Sequence, residues 1–151
     1  MKNLVKHMFT KEDLSAIASA IGEAEKTTAG EIRVSIRQKR KWRERKLTIE
    51  EMARQEFRVL GMTKTKDRTG ILIFLLLEDK KFFILADNGI HSKVENGTWD
   101  MIANEMSNHF SQKKFRLGII HGVHSVGVEL SKFFPRKSDD TNELPNDVHV
   151  Q

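Results

Sequence analysis

The chain of 151 residues contains no cysteine. That excludes a disulfide, a thiolate nucleophile and any zinc site built on sulfur, so a metal has to sit on oxygen or imidazole. There are two prolines, Pro135 and Pro145, and both lie close to the C-terminal end. Long hydrophobic runs are missing as well: the longest, residues 71–77, falls far short of the roughly twenty that cross a bilayer. The segment Met1 to His7 lacks the apolar stretch of a secretory signal, which leads to the expectation of a cytoplasmic protein. A Gly-x-Gly-x-x-Gly turn, a Walker loop, a nucleophile elbow and a cysteine-based phosphatase loop are all absent. Any hydrolysis would therefore rest on metal-assisted attack by water.

What is present suffices for one core. Hydrophobic residues make up 38% and charged residues 31%, the balance of a polar but folded domain. The expected layout is a single domain over residues 1–135, followed by a polar C-terminal tail over 136–151 in which Asp139, Asp140, Asn142 and Glu143 have little to bury. The formal charge of +5 is unevenly spread. Residues 37–46 hold seven cations and one acid, or +6, which leaves a net −1 for everything else.

Periodicity places the elements. Thr10 and Asp13 form a capping box ahead of Leu14, Ile17, Ala18 and Ile21, which predicts an amphipathic helix from about Lys11 to Thr27, broken by Gly30. Residues 31–37 alternate polar and apolar, the pattern of a half-buried strand. Thr48 and Glu51 cap a second helix with Ile49, Met52, Ala53, Phe57 and Leu60 on one stripe, ending at Gly61. Residues 70–77 are apolar throughout, as in a central strand covered on both faces, and Glu78–Lys80 turn the chain into a strand over 81–87. A third helix capped by Thr98 carries Trp99, Ile102, Ala103, Met106 and Phe110. A fourth carries Ile119, Ile120, Val123, Leu130 and Phe134. The order αβαββαα, with a parallel crossover and an antiparallel hairpin, predicts a three-layer α/β/α sandwich on a small mixed sheet.

That topology has a chemical consequence. The starts of the first two strands and the end of the third share one edge of the sheet, so Glu31, Asp67 and Asp87 converge there with Arg68, Asn88, Gly89 and His91 nearby. Three carboxylates in one place need a cation, a proton or basic neighbours. An oxygen-only set favours a hard ion, calcium ahead of magnesium, with carbonyls near Gly30 and Gly89 completing the shell. The plainer reading makes Glu31 and Asp87 strand-end caps and Asp67–Arg68 an exposed pair.

At this point the residues carry a resemblance. Phe9-Thr10, Gly30-Glu31-Ile32-Arg33-Val34, Phe57 through Leu60-Gly61-Met62, Thr65, Arg68 with Gly70-Ile71-Leu72, residues 86–91, Trp99, the stretch from Met106 to Phe110, Gly118, Phe134-Pro135 and residues 142–145 together resemble the TPM-domain family over nearly the whole chain. The family includes a thylakoid-lumen photosystem-repair protein and many bacterial proteins. The resemblance implies an α/β/α sandwich, calcium binding as in some members and acid phosphatase activity as in others. Many members carry a signal peptide and a membrane anchor; this chain resembles the short cytoplasmic subgroup. Glu31, Arg68, Gly70, Asp87 and Gly89 match the family's residues at the strand edge. Thr69 stands where an Asn is common, which removes one amide from the coordination shell.

The basic stretch 37–46, with Trp42 in its middle, offers a second surface at the other end of the first strand. It suits phosphates, a base stacked on Trp42 or a lipid interface; the plainer alternative is a solvated loop. His121 and His124 stand at i, i+3 without a carboxylate one turn away, which reads as helix surface rather than a zinc helix. Gly118, Gly122 and Gly127 read as close helix packing. Two expectations follow. In the first, Glu31, Asp67 and Asp87 bind calcium, and Arg68 and Asp87 serve a weak metal-assisted hydrolysis of a phosphorylated small molecule. In the second, the chain is a non-catalytic module that docks through residues 37–46 on an acidic protein or a membrane surface, with nucleic acid the less favoured partner.

Overall fold

The computed structural model describes residues 3–65, 68–136 and 145–151. Along the chain run α1 (Leu4–Met8), α2 (Lys11–Glu25), β1 (Glu31–Arg37), α3 (Ile49–Val59), β2 (Gly70–Leu76), β3 (Lys81–Ala86), α4 (Asn88–His91), α5 (Thr98–Ser111), α6 (Phe115–Phe133) and β4 (His149–Val150). The strands form one mixed sheet in the order β3-β2-β1-β4. β1 lies parallel to β2 with Glu31 opposite Gly70, and β3 runs back antiparallel with Ala86 opposite Ile71.

Strand alternation divides the core in two. Ile32, Val34, Ile36, Ile71, Ile73 and Ile84 face α2, α5 and α6, where they meet Ile17, Ile21, Ile102, Met106, Ile119 and Val123. Leu72, Phe74, Leu76 and Leu85 face α3 and bury Met52, Ala53 and Phe57. Every residue of β2 is buried, as a strand covered on both sides requires. The result is the expected α/β/α sandwich.

Local chemistry sets the boundaries. Both capping boxes form: Asp13 N donates to Thr10 Oγ1 at 3.0 Å and Thr10 N to Asp13 Oδ2 at 2.9 Å, and Glu51 and Thr48 repeat the exchange at 3.1 and 2.9 Å. α3 stops where Gly61 turns left-handed at φ +74°. The glycines of α6 do bring helices together: a Cβ at Gly127 would stand 2.8 Å from Ala24 Cβ of α2, and one at Gly118 would stand 2.5 Å from the Phe110 ring of α5.

Several features depart from the sequence reading. α1 precedes the expected first helix; its Leu4 N donates to Gln38 Oε1 at 2.9 Å, and Val5 packs into the core. α2 ends at Glu25, two residues early, because the chain already turns toward β1. The N-cap of α5 is Gly97, at φ +87°, rather than Thr98, which lies inside the helix as its first residue. Finally, residues 149–150 form β4, which pairs parallel with Ser35 and Ile36; Gln151 N donates to Ile36 O, and Gln38 N donates to Gln151 O, each at 2.9 Å.

Candidate functional site

The sheet edge foreseen from topology exists. Glu31 and Asp87 flank Gly70, one from each side of β2: Glu31 N donates to Thr69 O at 3.0 Å, and Asp87 N donates to Gly70 O at 2.9 Å. Odd-numbered residues of β1 point toward α3, as Ser35 shows by donating from Oγ to Glu56 Oε2 at 2.6 Å. The same alternation puts Asp87 beyond Phe83 and Leu85 on that face. Glu31 and Asp87 therefore sit on one face with Gly70 between them in the register, and the Glu31 side chain also hydrogen-bonds that of Glu25. A Cβ at position 70 would meet the Met62 carbonyl oxygen at 3.4 Å and Phe57 Cζ at 3.5 Å, so the floor between the acids is roofed by α3 and the turn after it.

Both acids are buried, Glu31 at 3% and Asp87 at 9% exposure. Asp87 is the N-cap of α4, its Oδ1 accepting from Asn88 N at 2.7 Å. Its Oδ2 is buried with no hydrogen-bond partner among the described residues. Arg68 is exposed beside it, and its carbonyl accepts from Gly89 N at 3.1 Å. The Arg68 backbone is left-handed at φ +57°, a conformation that costs a non-glycine residue of order 1 kcal/mol. Residues 88–91, treated above as a source of loop carbonyls, form the short helix α4. His91 is exposed at its end. Asp67, the third acid of the sequence reading, lies outside the described residues.

Sequence reasoning missed Glu25. This last residue of α2 is 5% exposed, and its Oε2 accepts from Ile32 N at 2.7 Å. Ile32 N points away from β2, toward a part of β1 that β4 does not reach, so the carboxylate stands in for an absent strand. Burial pushes the Glu25 carboxyl up to about 8, against the hydrogen bond from Ile32; the neighbouring Glu31 raises it further and Arg136 lowers it. The signal was available: Ile17, Ile21 and Glu25 follow at i, i+4, i+8 on one buried stripe.

Among the described residues the oxygen donors at this edge are the carboxylates of Glu31 and Asp87, the ligand type that a hard cation takes. Among the described residues no group of three or more histidines, aspartates and glutamates comes together to hold a metal. His121 lies near Glu105 at 3.5 Å and against the His109 ring, while His124 is exposed. A cavity of about 450 Å³ beside β3, lined in part by Phe83, His91 and Trp99, includes none of Glu31, Arg68 and Asp87.

The basic stretch lies at the opposite end of β1, and the structure sorts its cations. Arg37 turns inward to a buried pair with Glu44, whose other oxygen accepts from Gln55 Nε2 at 2.6 Å. Arg40 ties the loop down, donating to Asp79 Oδ2 at 2.7 Å, to Glu44 O at 2.8 Å and to Leu47 O at 2.6 Å. Lys39, Lys41, Arg43, Arg45 and Lys46 are exposed. Trp42, in a single 3₁₀ turn, is 78% exposed, with the Arg45 guanidinium 3.6 Å from its ring centre.

Among the described residues no helix is long and apolar enough to cross a membrane. Solved structures share the fold. The BA42 protein of the psychrophilic bacterium Bizionia argentinensis is 37% identical, with 95% of each chain covered and a TM-score of 0.85. The N-terminal domain of the cg2496 protein from Corynebacterium glutamicum is 16% identical over 89% of this chain and 81% of its own, at a TM-score of 0.62. An N-terminal domain from P. gingivalis is 18% identical over 84% and 79%, at 0.67. The last two speak for the fold alone. No curated protein matches the chain significantly. The sequence profile of the TPM domain matches residues 4–129, the span that holds Glu31, Arg68 and Asp87, and with it the chain belongs to the TPM-domain family.

Proposed function

We propose that this TPM domain binds a hard divalent cation of the calcium type at the sheet edge, with Glu31, Asp67 and Asp87 as its carboxylates, and that weak hydrolysis of phosphomonoesters is its enzymatic form. The observation that supports this is the buried Asp87 Oδ2, which lacks a hydrogen-bond partner among the described residues and lies across Gly70 from a second buried carboxylate. A buried carboxylate oxygen without a partner costs several kcal/mol unless a cation or proton meets it. Calcium suits an irregular set of carboxylates and carbonyls better than magnesium, which demands a near-ideal octahedron.

When bound, such an ion supplies Lewis acidity toward a phosphoryl oxygen and lowers the pKa of a coordinated water. The chain's own residues do the rest. Arg68, exposed next to the acids, binds phosphate oxygens through its guanidinium fork and orients the ester. Asp87 is aimed by its N-cap bond to Asn88 N, which fixes one oxygen and leaves the other for the ligand. The left-handed Arg68 backbone, held by Gly89 N, keeps the cation at the edge where a glycine would be cheaper.

The test is a calcium titration followed by amide chemical shifts, with hydrolysis of p-nitrophenyl phosphate measured in parallel. Shifts are expected at Glu31, Gly70 and residues 87–89, and they should vanish in Glu31→Gln and Asp87→Asn. If Glu31→Gln leaves the titration unchanged, the metal reading fails. If calcium binds but Arg68→Ala hydrolyses the ester as fast as the parent chain, the enzymatic part fails alone.

A further inference from the structure

The loop at the far end of β1 is built as a platform. Its two inward cations, Arg37 and Arg40, are consumed by Glu44, Asp79 and two carbonyls, and these bonds fix the backbone of residues 40–47. Lys41 N adds a bond to Glu44 Oε1 at 2.8 Å. What remains points outward: five exposed cations around a tryptophan that no apolar side chain covers. Lys41, Arg43 and Lys46 make no ion pair among the described residues. A core-forming tryptophan would be buried, whereas Trp42 is the most exposed large hydrophobic side chain among the described residues.

We propose that residues 39–46 form a membrane-docking tip, in which Trp42 enters the headgroup region of an anionic bilayer while Lys41, Arg43, Arg45 and Lys46 engage lipid phosphates and carboxylates. Three observations favour a lipid surface over other polyanions. Trp42 is a lone exposed aromatic in the loop, whereas single-stranded nucleic acid is tracked by several stacking platforms. Its surroundings are cationic rather than apolar, which suits the interfacial zone where tryptophan and basic side chains sit together and does not suit the apolar pocket of a protein hot spot. The charge is also polarised along the strands: the carboxylates of Glu31 and Asp87 stand at the opposite end of the sheet from the exposed cations, so an anionic surface favours the end that carries the loop.

The full chain, kept in chelator so that calcium bridging plays no part, is mixed with vesicles of phosphatidylcholine alone or with phosphatidylserine added. Binding is read by co-sedimentation and by tryptophan emission. Binding is expected to the phosphatidylserine vesicles only, weakening with salt, together with a blue shift and protection from acrylamide that Trp42→Ala removes while Trp99 continues to emit. Lys41→Gln/Arg43→Gln/Lys46→Gln should weaken binding about a hundredfold, at about fivefold per cation. These exposed positions leave the fold intact, which circular dichroism verifies. The proposal is overturned if phosphatidylserine vesicles do not sediment the chain at low salt, if the triple variant binds undiminished, or if Trp42 emission does not move on binding. Equal affinity for a single-stranded oligonucleotide in the same buffer, with the same emission change, assigns the loop to nucleic acid and overturns it equally.

Discussion

Glu25 and Glu31 bring two carboxyls to the mouth of β1, where Glu25 binds the amide of Ile32 and feels the charge of Glu31. The Glu25 carboxyl is raised to about 8 from an ordinary 4.5. Between those values the folded chain holds a proton that the unfolded chain has released. The associated stability is complete below the unfolded value and is lost as pH rises through about 8. Thermal melts in chelator should therefore show stability falling across that window. Glu25→Gln keeps an oxygen for Ile32 N and should flatten the fall; a curve equally steep in the variant would place the titrating group elsewhere.

Arg37 and Glu44 predict the opposite dependence. Burial raises the Glu44 carboxyl, but bonds from Lys41 N, Arg37 and Gln55 outweigh it and hold the group below the carboxylate norm. The stability it contributes is present above the unfolded value and is lost as pH falls through the folded one. Glu44→Ala leaves Arg37, 4% exposed, as a buried cation without its partner, and should cost about 3–5 kcal/mol in denaturant unfolding. Glu44→Gln should cost less near neutrality and should lose its disadvantage in acid.

Gly127→Ala tests the contact of α6 with α2. A methyl there meets Ala24 Cβ at 2.8 Å, and neither partner is flexible. Overpacking of about 1–3 kcal/mol exceeds the gain of up to about 1 kcal/mol in helix propensity, so the variant should be less stable. Adding Ala24→Gly should restore part of the loss, a coupling visible in a double-mutant cycle.

Arg68→Gly separates stability from ligand binding. Glycine relieves the left-handed backbone, so unfolding free energy should stay level or rise by about 1 kcal/mol. Phosphate binding at the edge should drop. A variant that loses both would show that the side chain supports the fold.

The parallel-then-antiparallel strand order was legible because residues 70–77 are apolar without interruption, while residues 31–37 alternate. The strand order then carried Glu31 and Asp87 to one edge without any further information. Glu25 escaped because an acid on a buried stripe looks like the polar end of a helix until the amide it caps is known. The division of labour within residues 37–46 was hidden for a similar reason: seven cations look alike in sequence, and only the positions of Glu44 and Asp79 in space separate Arg37 and Arg40 from the rest. β4 gave no signal at all, since two residues carry no periodicity.

That short strand bears on the order in which the molecule assembles. β1 can pair with β2, and β2 with β3, as soon as the first two-thirds of the chain is made, whereas the outer edge of β1 waits for residues from the far end. Until then a nascent chain on the ribosome presents Ser35 and Ile36 as an open template to any other strand nearby. Ile32 is already covered, by Glu25 from within the early segment.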